Sequence, residues 1–262
     1  MKFLFNTADI TNGVNAAIDT ALVLSLNVGT NTLEVQNDKP ISKLYFSASS
    51  AHGGALAVQY WNGTSYAAVS SLNDLTNSLK SDGWVEWVNP TDLAKDGDYY
   101  KFLFVLSGVT ASVNETFRFI GIVFAEDKDL KKEYPNISDY LPAGDTSFIR
   151  FHASTADAIV QFFRAKGKAT RPQGSSRLYQ LDAFDFLDTN EMRQAGKFIA
   201  LSKIFHWLSD SVDDKWYQKG RDFLAQGNSS LEVYYLSIDT DRDASPDESE
   251  VMQTNELRIV RA

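Results

Sequence analysis

Between Leu187 and Leu224 the apolar residues fall at helical spacing twice in succession, and no other stretch restricts the fold so tightly. Asp188 and Glu191 have the spacing of a capping box, in which an acid at the helix start accepts from free first-turn amides and a later carboxylate reaches back. Met192, Ala195 and Ile199 then form one stripe, and Phe198, Leu201, Phe205 and Leu208 form another. Two stripes imply burial on more than one side. The polar turn Ser209 to Asp214 offers new caps. Trp216, Tyr217, Phe223 and Leu224 give a second apolar face, and Gly227-Asn228 is the predicted end of that helix. The pair is predicted to be an αα-hairpin.

Everything before residue 126 carries strand signals instead. The runs 21–28, 41–46, 56–61, 100–106 and 117–124 are β-branched or aromatic and are bounded by turn residues. Asn62-Gly63 lies between Trp61 and Tyr66 and reads as a hairpin turn, because both residues tolerate positive φ. Short strands at regular spacing without intervening helices indicate an antiparallel sandwich.

A chain of 262 residues is comfortable for two domains, and at that size no covalent staples are needed. Cysteine is absent, which removes disulfides, thiolate metal sites and a cysteine nucleophile together. The opening residues Met1 to Thr7 are apolar too briefly for a signal peptide or a membrane span, so the expectation is synthesis in the cytoplasm and no membrane partner. A net charge of -9 argues against gripping nucleic acid through its phosphates. The same charge suits solubility, metal binding, or a passage along which DNA must not stick.

The segment Tyr60-Trp61-Asn62-Gly63-Thr64-Ser65-Tyr66, followed by Asp74, Thr76, Gly83-Trp84-Val85-Glu86-Trp87, Pro90, Asp92 and Tyr99 to Phe102, resembles a β-sandwich module of bacteriophage structural proteins and some surface-binding proteins. The similarity covers residues 40 to 125. Trp61, Trp84 and Trp87 then have two readings. They are core and cross-strand packing, or they form an exposed cluster that stacks on sugar rings.

Residues 126 to 146 are charged and punctuated by Pro135 and Pro142, the composition of a domain boundary. The expected organisation is a sandwich over 1–126, a linker over 127–146 and a helical domain over 147–262. Thr155 is a candidate cap for a helix carrying Ala158, Ile159, Phe162 and Phe163 and ending at Gly167. From Arg164 to Arg177 the chain has Arg164, Lys166, Lys168, Arg171 and Arg177 with no acid. This island is a solvated loop or a docking surface for an acidic partner or nucleic acid.

Asp239, Asp241, Asp243, Asp247 and Glu250 occupy positions 1, 3, 5, 9 and 12 of a twelve-residue stretch, the oxygen-ligand positions of an EF-hand calcium loop. Ala244 stands where the sharp turn favours glycine, Pro246 follows, and Leu231 to Leu236 is not clearly helical. A calcium site and a solvated acidic loop both remain open.

No other cofactor is implied. His52, His152 and His206 are scattered outside any zinc pattern, no Gly-x-Ser-x-Gly elbow occurs, and Gly167-Lys168-Ala169 fails as a phosphate loop. His206, flanked by Phe205 and Trp207, reads as a packed side chain. Nothing in the chain asks for an enzyme.

Over residues 128 to 262 the sequence resembles the head-to-tail connector (adaptor) proteins of tailed bacteriophages. The matching features are Asp129-Leu130 leading into Tyr134-Pro135, a first helix around Ala158-Ile159, and Thr189-x-Glu191-x-x-Gln194-Ala195 running into Ala200-Leu201-Ser202. A second helix from Trp216 to Leu224, an Asp-rich loop and an exit segment Glu256 to Arg261 follow. The resemblance implies a virion protein made in the host cytoplasm. It also implies a ring of about twelve copies between the portal protein and the next neck or tail protein, with DNA passing through the lumen unread. The alternative is a carbohydrate- or surface-binding sandwich of a neck, tail or baseplate protein. The expected fold is α+β: an antiparallel β-sandwich followed by a helical, αα-hairpin-based domain.

Overall fold

The computed structural model describes residues 1–18, 20–170, 179–232, 235–239 and 251–253. The chain divides into two compact units, Met1–Ile122 and Val123–Ala262.

The first unit is built from β1 (Lys2–Phe5), β2 (Ala8–Asp9), a short helix α1 (Thr11–Ala16), β3 (Leu22–Leu26), β4 (Gly29–Asn37), β5 (Lys43–Ser49) and β6 (Ala55–Trp61). It continues through β7 (Tyr66–Ala68), β8 (Ser70–Asp74), β9 (Gly83–Val88), β10 (Lys95–Asp96), β11 (Tyr99–Val109) and β12 (Val113–Gly121). One sheet has the order β2-β1-β4-β11-β6-β7 with β10 on β11, and the other has the order β3-β12-β5-β9-β8. Every pairing in both sheets is antiparallel.

Period-two alternation explains the core. Leu33 and Val35 of β4 and Phe102, Phe104 and Leu106 of β11 point inward from one sheet. From the other sheet Phe46 meets Phe104 edge to face at 5.4 Å, and Trp87 lies 5.2 Å from Phe102 and 5.7 Å from Phe104. The expected sandwich is therefore the observed one. On β12 a bulge between Phe117 and Phe119 resets the alternation. Glu115 and Phe117 share its inward face, and Phe117 packs on Phe46 at 6.3 Å. The Asn62-Gly63 turn forms as expected: Gly63 sits at φ +96, and Asn62 Oδ1 accepts from the amides of Thr64 and Ser65.

In the second unit the charged stretch expected to be a linker is structured. Helix α2 (Asp127–Glu133) starts with a capping box between Glu126 and Asp129, and Pro135 follows its end. A 3-10 turn, Ile137–Tyr140, comes next, and Leu130 and Ile137 are fully buried in the helical core. Charged residues cover most of the surface there, while Leu130 and Ile137 face inward.

Helix α3 (Ile149–Ala165) begins six residues before Thr155, which is a buried interior residue and not the cap. Gly167 at φ +76 ends it as expected, with the Lys168 amide returning to Phe163 O. Two short strands, β13 (Ala169–Thr170) and β14 (Tyr179–Gln180), pair after it.

Helix α4 (Arg193–Leu208) buries both stripes, from Ala195 and Ile199 to Phe198, Leu201 and Phe205. The Asp188–Glu191 capping box does not form. Asp188 Oδ1 holds the Asn190 amide in a local turn. Glu191 instead accepts from the amide and hydroxyl of Ser237, which ties it to β15 (Tyr235–Ser237), the partner of β16 (Val251–Gln253). Helix α5 (Lys215–Glu232) is capped by Asp214, whose Oδ1 accepts from the Trp216 amide at 2.9 Å. It runs through Gly227. A Cβ there would lie 2.6 Å from Ile199 Cγ1, so this glycine provides close approach to α4 and not termination.

Candidate functional site

An open cleft lies in the helical unit. It has a volume of about 550 Å³ and is lined by Tyr134, Tyr140, Lys215, Trp216, Gln218, Lys219 and Asp222. Three local devices build it. The Tyr134 amide closes the last turn of α2 on Leu130 O at 2.7 Å, and the 3-10 turn then brings Tyr140 back beside it. The Asp214 cap fixes where α5 begins, and helical spacing sets Lys215, Lys219 and Asp222 on one face.

Tyr134 and Tyr140 meet tilted with centroids 6.4 Å apart, and Tyr140 meets Trp216 edge to face at 5.2 Å. Behind them Phe205 stacks on Trp216 at 5.4 Å and on Phe223 at 5.5 Å, so the floor is a rigid aromatic column. The Lys219 ammonium stands 4.4 Å above Tyr134, 5.4 Å from Phe205 and 5.7 Å from Trp216, and donates to the Tyr134 hydroxyl at 3.3 Å. Lys215 covers Trp216 at 4.7 Å. Burial, and next the Tyr134 phenol, hold the Tyr140 hydroxyl above its ordinary pKa. The cleft thus offers half-buried ring faces with ammonium groups above them. That arrangement grips a partner group by stacking and charge, and none of its lining residues forms a nucleophile paired with a base.

The residues singled out from sequence are distributed differently. Trp84 and Trp87 are buried, Trp84 against Tyr45 at 5.4 Å and Trp87 in the intersheet core with Nε1 donating to Asn89. The sugar-stacking cluster is corrected on that ground: residues three apart on one strand face opposite sides of a sheet, and both sides are covered here. Trp61 is half-buried and packs edge to face on Tyr66.

In the basic island Arg164 Nε donates to Leu181 O at 2.6 Å, an internal tie, while Lys166 lies over the Phe162 ring. Lys168 is half-buried, and Arg171 and Arg177 lie outside the described residues. Asp239 is buried and its amide donates to Asp185 O at 2.8 Å, which anchors the start of the acidic stretch. Asp241, Asp243, Asp247 and Glu250 lie outside the described residues. Among the described residues no group of three His, Asp or Glu side chains could hold a metal ion. His206 is packed as expected, facing Tyr217 at 5.1 Å with Nδ1 3.2 Å from Ser202 Oγ.

Sequence reasoning took Tyr134 and Tyr140 for part of a linker. A usable signal was present: two tyrosines flanking Pro135 beside a lysine pair four apart around Trp216. Comparison with protein-family models, with curated proteins and with solved structures found no match.

Proposed function

We propose that the chain is a structural virion protein of a tailed bacteriophage, a head-to-tail connector whose copies close a ring of about twelve below the portal. The portal protein and the next neck or tail protein are its other neighbours. DNA crosses the lumen without being read, because a net charge of -9 per copy repels the phosphate backbone. It is made in the host cytoplasm and functions in the virion.

The observation that carries this reading is the aromatic cleft on the helical unit, within the region that resembles connectors. Tyr134, Tyr140 and Trp216 present ring faces beside Lys215 and Lys219. Tyrosine and tryptophan in a shallow recess are the residue types that anchor protein–protein contacts. Exposed Trp207, Val212 and Leu224 add apolar surface to the same hairpin. Such surfaces serve subunit contact, and the reading is one of assembly, not catalysis.

Negative-stain imaging of the purified full chain tests it directly. Closed rings of uniform diameter are expected, and the variant Trp216→Ala with Lys219→Ala should release single subunits that keep their helical circular dichroism. Isolated subunits at every concentration, in the presence of purified portal protein as well, would overturn the reading.

A further inference from the structure

At one end of the sandwich the structure buries an acid and an imidazole that the assembly role does not use. Glu115 lies on the inward face of β12, and His52 lies in the connection from β5 to β6, which links the two sheets. Both side chains are wholly shielded, with His52 Nε2 3.4 Å from Glu115 Oε2. His52 Nδ1 accepts from the Gly54 amide at 3.1 Å, so in the neutral ring the proton sits on Nε2 and points toward the carboxyl. Neither Glu115 oxygen, nor His52 Nε2, has a hydrogen bond of good geometry.

That tautomer also rules out a metal on Nε2. A metal-bound neutral imidazole carries its proton on Nδ1, which would face the Gly54 N–H donor to donor.

The groups around the pair are few. Lys80, in the connection between β8 and β9, is the nearby charge, and Ser50 brings a hydroxyl. Of the other elements against β12, α1 and β3 contain no ionisable side chain, and β5 carries Lys43 and Tyr45 in its first three residues, with Ser49 the neighbour of Thr116 at its other end. Burial first, then Lys80, lowers the His52 pKa, with the Ser78 backbone opposing, so the ring stays neutral. Burial raises the Glu115 carboxyl to about 7 against the pull of Ser50 and Lys80.

The segment beside the pair is strained. Asn77, Ser78 and Leu79 hold φ values of 54, 64 and 64 in succession, a left-handed run of residues that have a Cβ. Side chains keep it wound: Asp74 accepts from the amides of Thr76 and Ser78, and the Thr76 hydroxyl accepts from the Leu79 amide. Ser78 Oγ in turn accepts from the Leu56 amide at the start of β6.

We propose that the His52–Glu115 pair is a proton-operated latch, closed on the protonated carboxyl and released when that proton leaves to solvent. An ionised Glu115 would face one misaligned N–H, the Ser50 hydroxyl and a half-buried ammonium, too little to replace its hydration, and water reaches it most cheaply by unwinding the strained 76–81 turn and the 50–54 connection. Asp74 and Thr76 set the cost of that unwinding.

The direction follows from linkage. The open form loses its proton near the ordinary 4.5 and the closed form near 7, so opening grows through that window and levels off above it. Acid keeps the end of the sandwich shut.

Amide hydrogen exchange of the full chain, corrected for intrinsic rates, tests this. Between pH 5 and pH 7 the amides of residues 52–56 and 76–83 should lose about fortyfold in protection and level off above that, while β4 and β11 hold theirs. Glu115→Gln should keep these amides protected and insensitive to pH. Lys80→Met, which removes the nearby positive charge, should carry the fall to higher pH, and it serves as the arm should Glu115→Gln not fold. Flat protection in the native chain, a native slope in Glu115→Gln, or a plateau in Lys80→Met at the native pH, would overturn the latch.

Discussion

Each unit buries a carboxyl, and the two are pushed in opposite directions. Glu115 in the sandwich is wholly shielded and its pKa rises, because burial penalises the charge and Ser50 and Lys80 only partly offset it. Asp129 in the helical unit is nearly as buried, and burial alone would raise it too. There the Arg193 guanidinium and the Glu126 amide both donate to it, and the net shift is downward. The difference teaches that depth does not decide whether a buried acid is charged. The donors aimed at it do.

The largest break in that comparison comes from removing a donor. Arg193→Ala leaves Asp129 buried with the Glu126 amide as its remaining donor, and because Arg193 is itself partly exposed the helical unit should lose about 3 kcal/mol, the low end for a broken buried pair, read as a lower urea midpoint by far-UV circular dichroism. Replacing both partners by apolar residues should cost far less, since no orphan charge remains. If Arg193→Ala proves nearly silent, the pair does not hold Asp129 ionised and the contrast with Glu115 fails.

Changing pH sharpens the same contrast. A folded pKa raised from 4.5 to about 7 means the sandwich keeps a proton that the unfolded chain has lost. Its contribution, about 3 kcal/mol, is complete below pH 4.5 and lost as pH rises through 7. Asp129 runs the other way. Its contribution is complete above the ordinary 3.8 and is lost as pH falls through its depressed value. Urea unfolding at pH 5 and pH 7, with Glu115→Gln as control, should show that variant losing the acid stabilisation while the helical unit keeps its own profile.

Glycines give a smaller and graded effect. A Cβ at Gly83 in β9 would sit 2.5 Å from the Leu75 carbonyl oxygen, backbone that cannot swing away. At Gly227 the obstacle is the Ile199 side chain, which can turn, and alanine also favours the helix. Gly83→Ala should cost about 3 kcal/mol and Gly227→Ala about 1 kcal/mol, measured by thermal unfolding. Equal losses would show that the α4–α5 contact is as unyielding as the sheet.

The sandwich and the hairpin were legible because their apolar periods are long and unmixed. Of the strands that lie outside the five apolar runs, β4 is the longest and reads Gly-Thr-Asn-Thr-Leu-Glu-Val-Gln-Asn, where polar residues on one face conceal that Leu33 and Val35 alternate into the core. Helix α2 was hidden for the opposite reason, since only Leu130 and Asp129 of its residues are buried. The cleft was less visible still. Its floor is the face of α4 and α5 that the hairpin pattern did supply, but its far wall comes from Tyr134 and Tyr140, in a stretch whose charge and prolines resemble a linker. Glu191 shows the general limit: spacing proposes a cap, and a strand forty-six residues away takes the carboxylate.

The smallest expected effect reverses the sign of the rest. The helical unit has orphans of its own on α3, where Thr155 Oγ1 and His152 Nδ1 are buried without partners while His152 Nε2 meets Asp127 at 2.9 Å. Replacing an unpaired buried hydroxyl by a methyl of the same shape removes a desolvation cost, so Thr155→Val should stabilise the unit by about 1 kcal/mol. A loss of that size would mean that a buried water joins the hydroxyl to the imidazole one turn earlier. The helical unit would then satisfy its interior with solvent where the sandwich leaves Glu115 bare, and the contrast between the two would extend from charges to neutral polar groups.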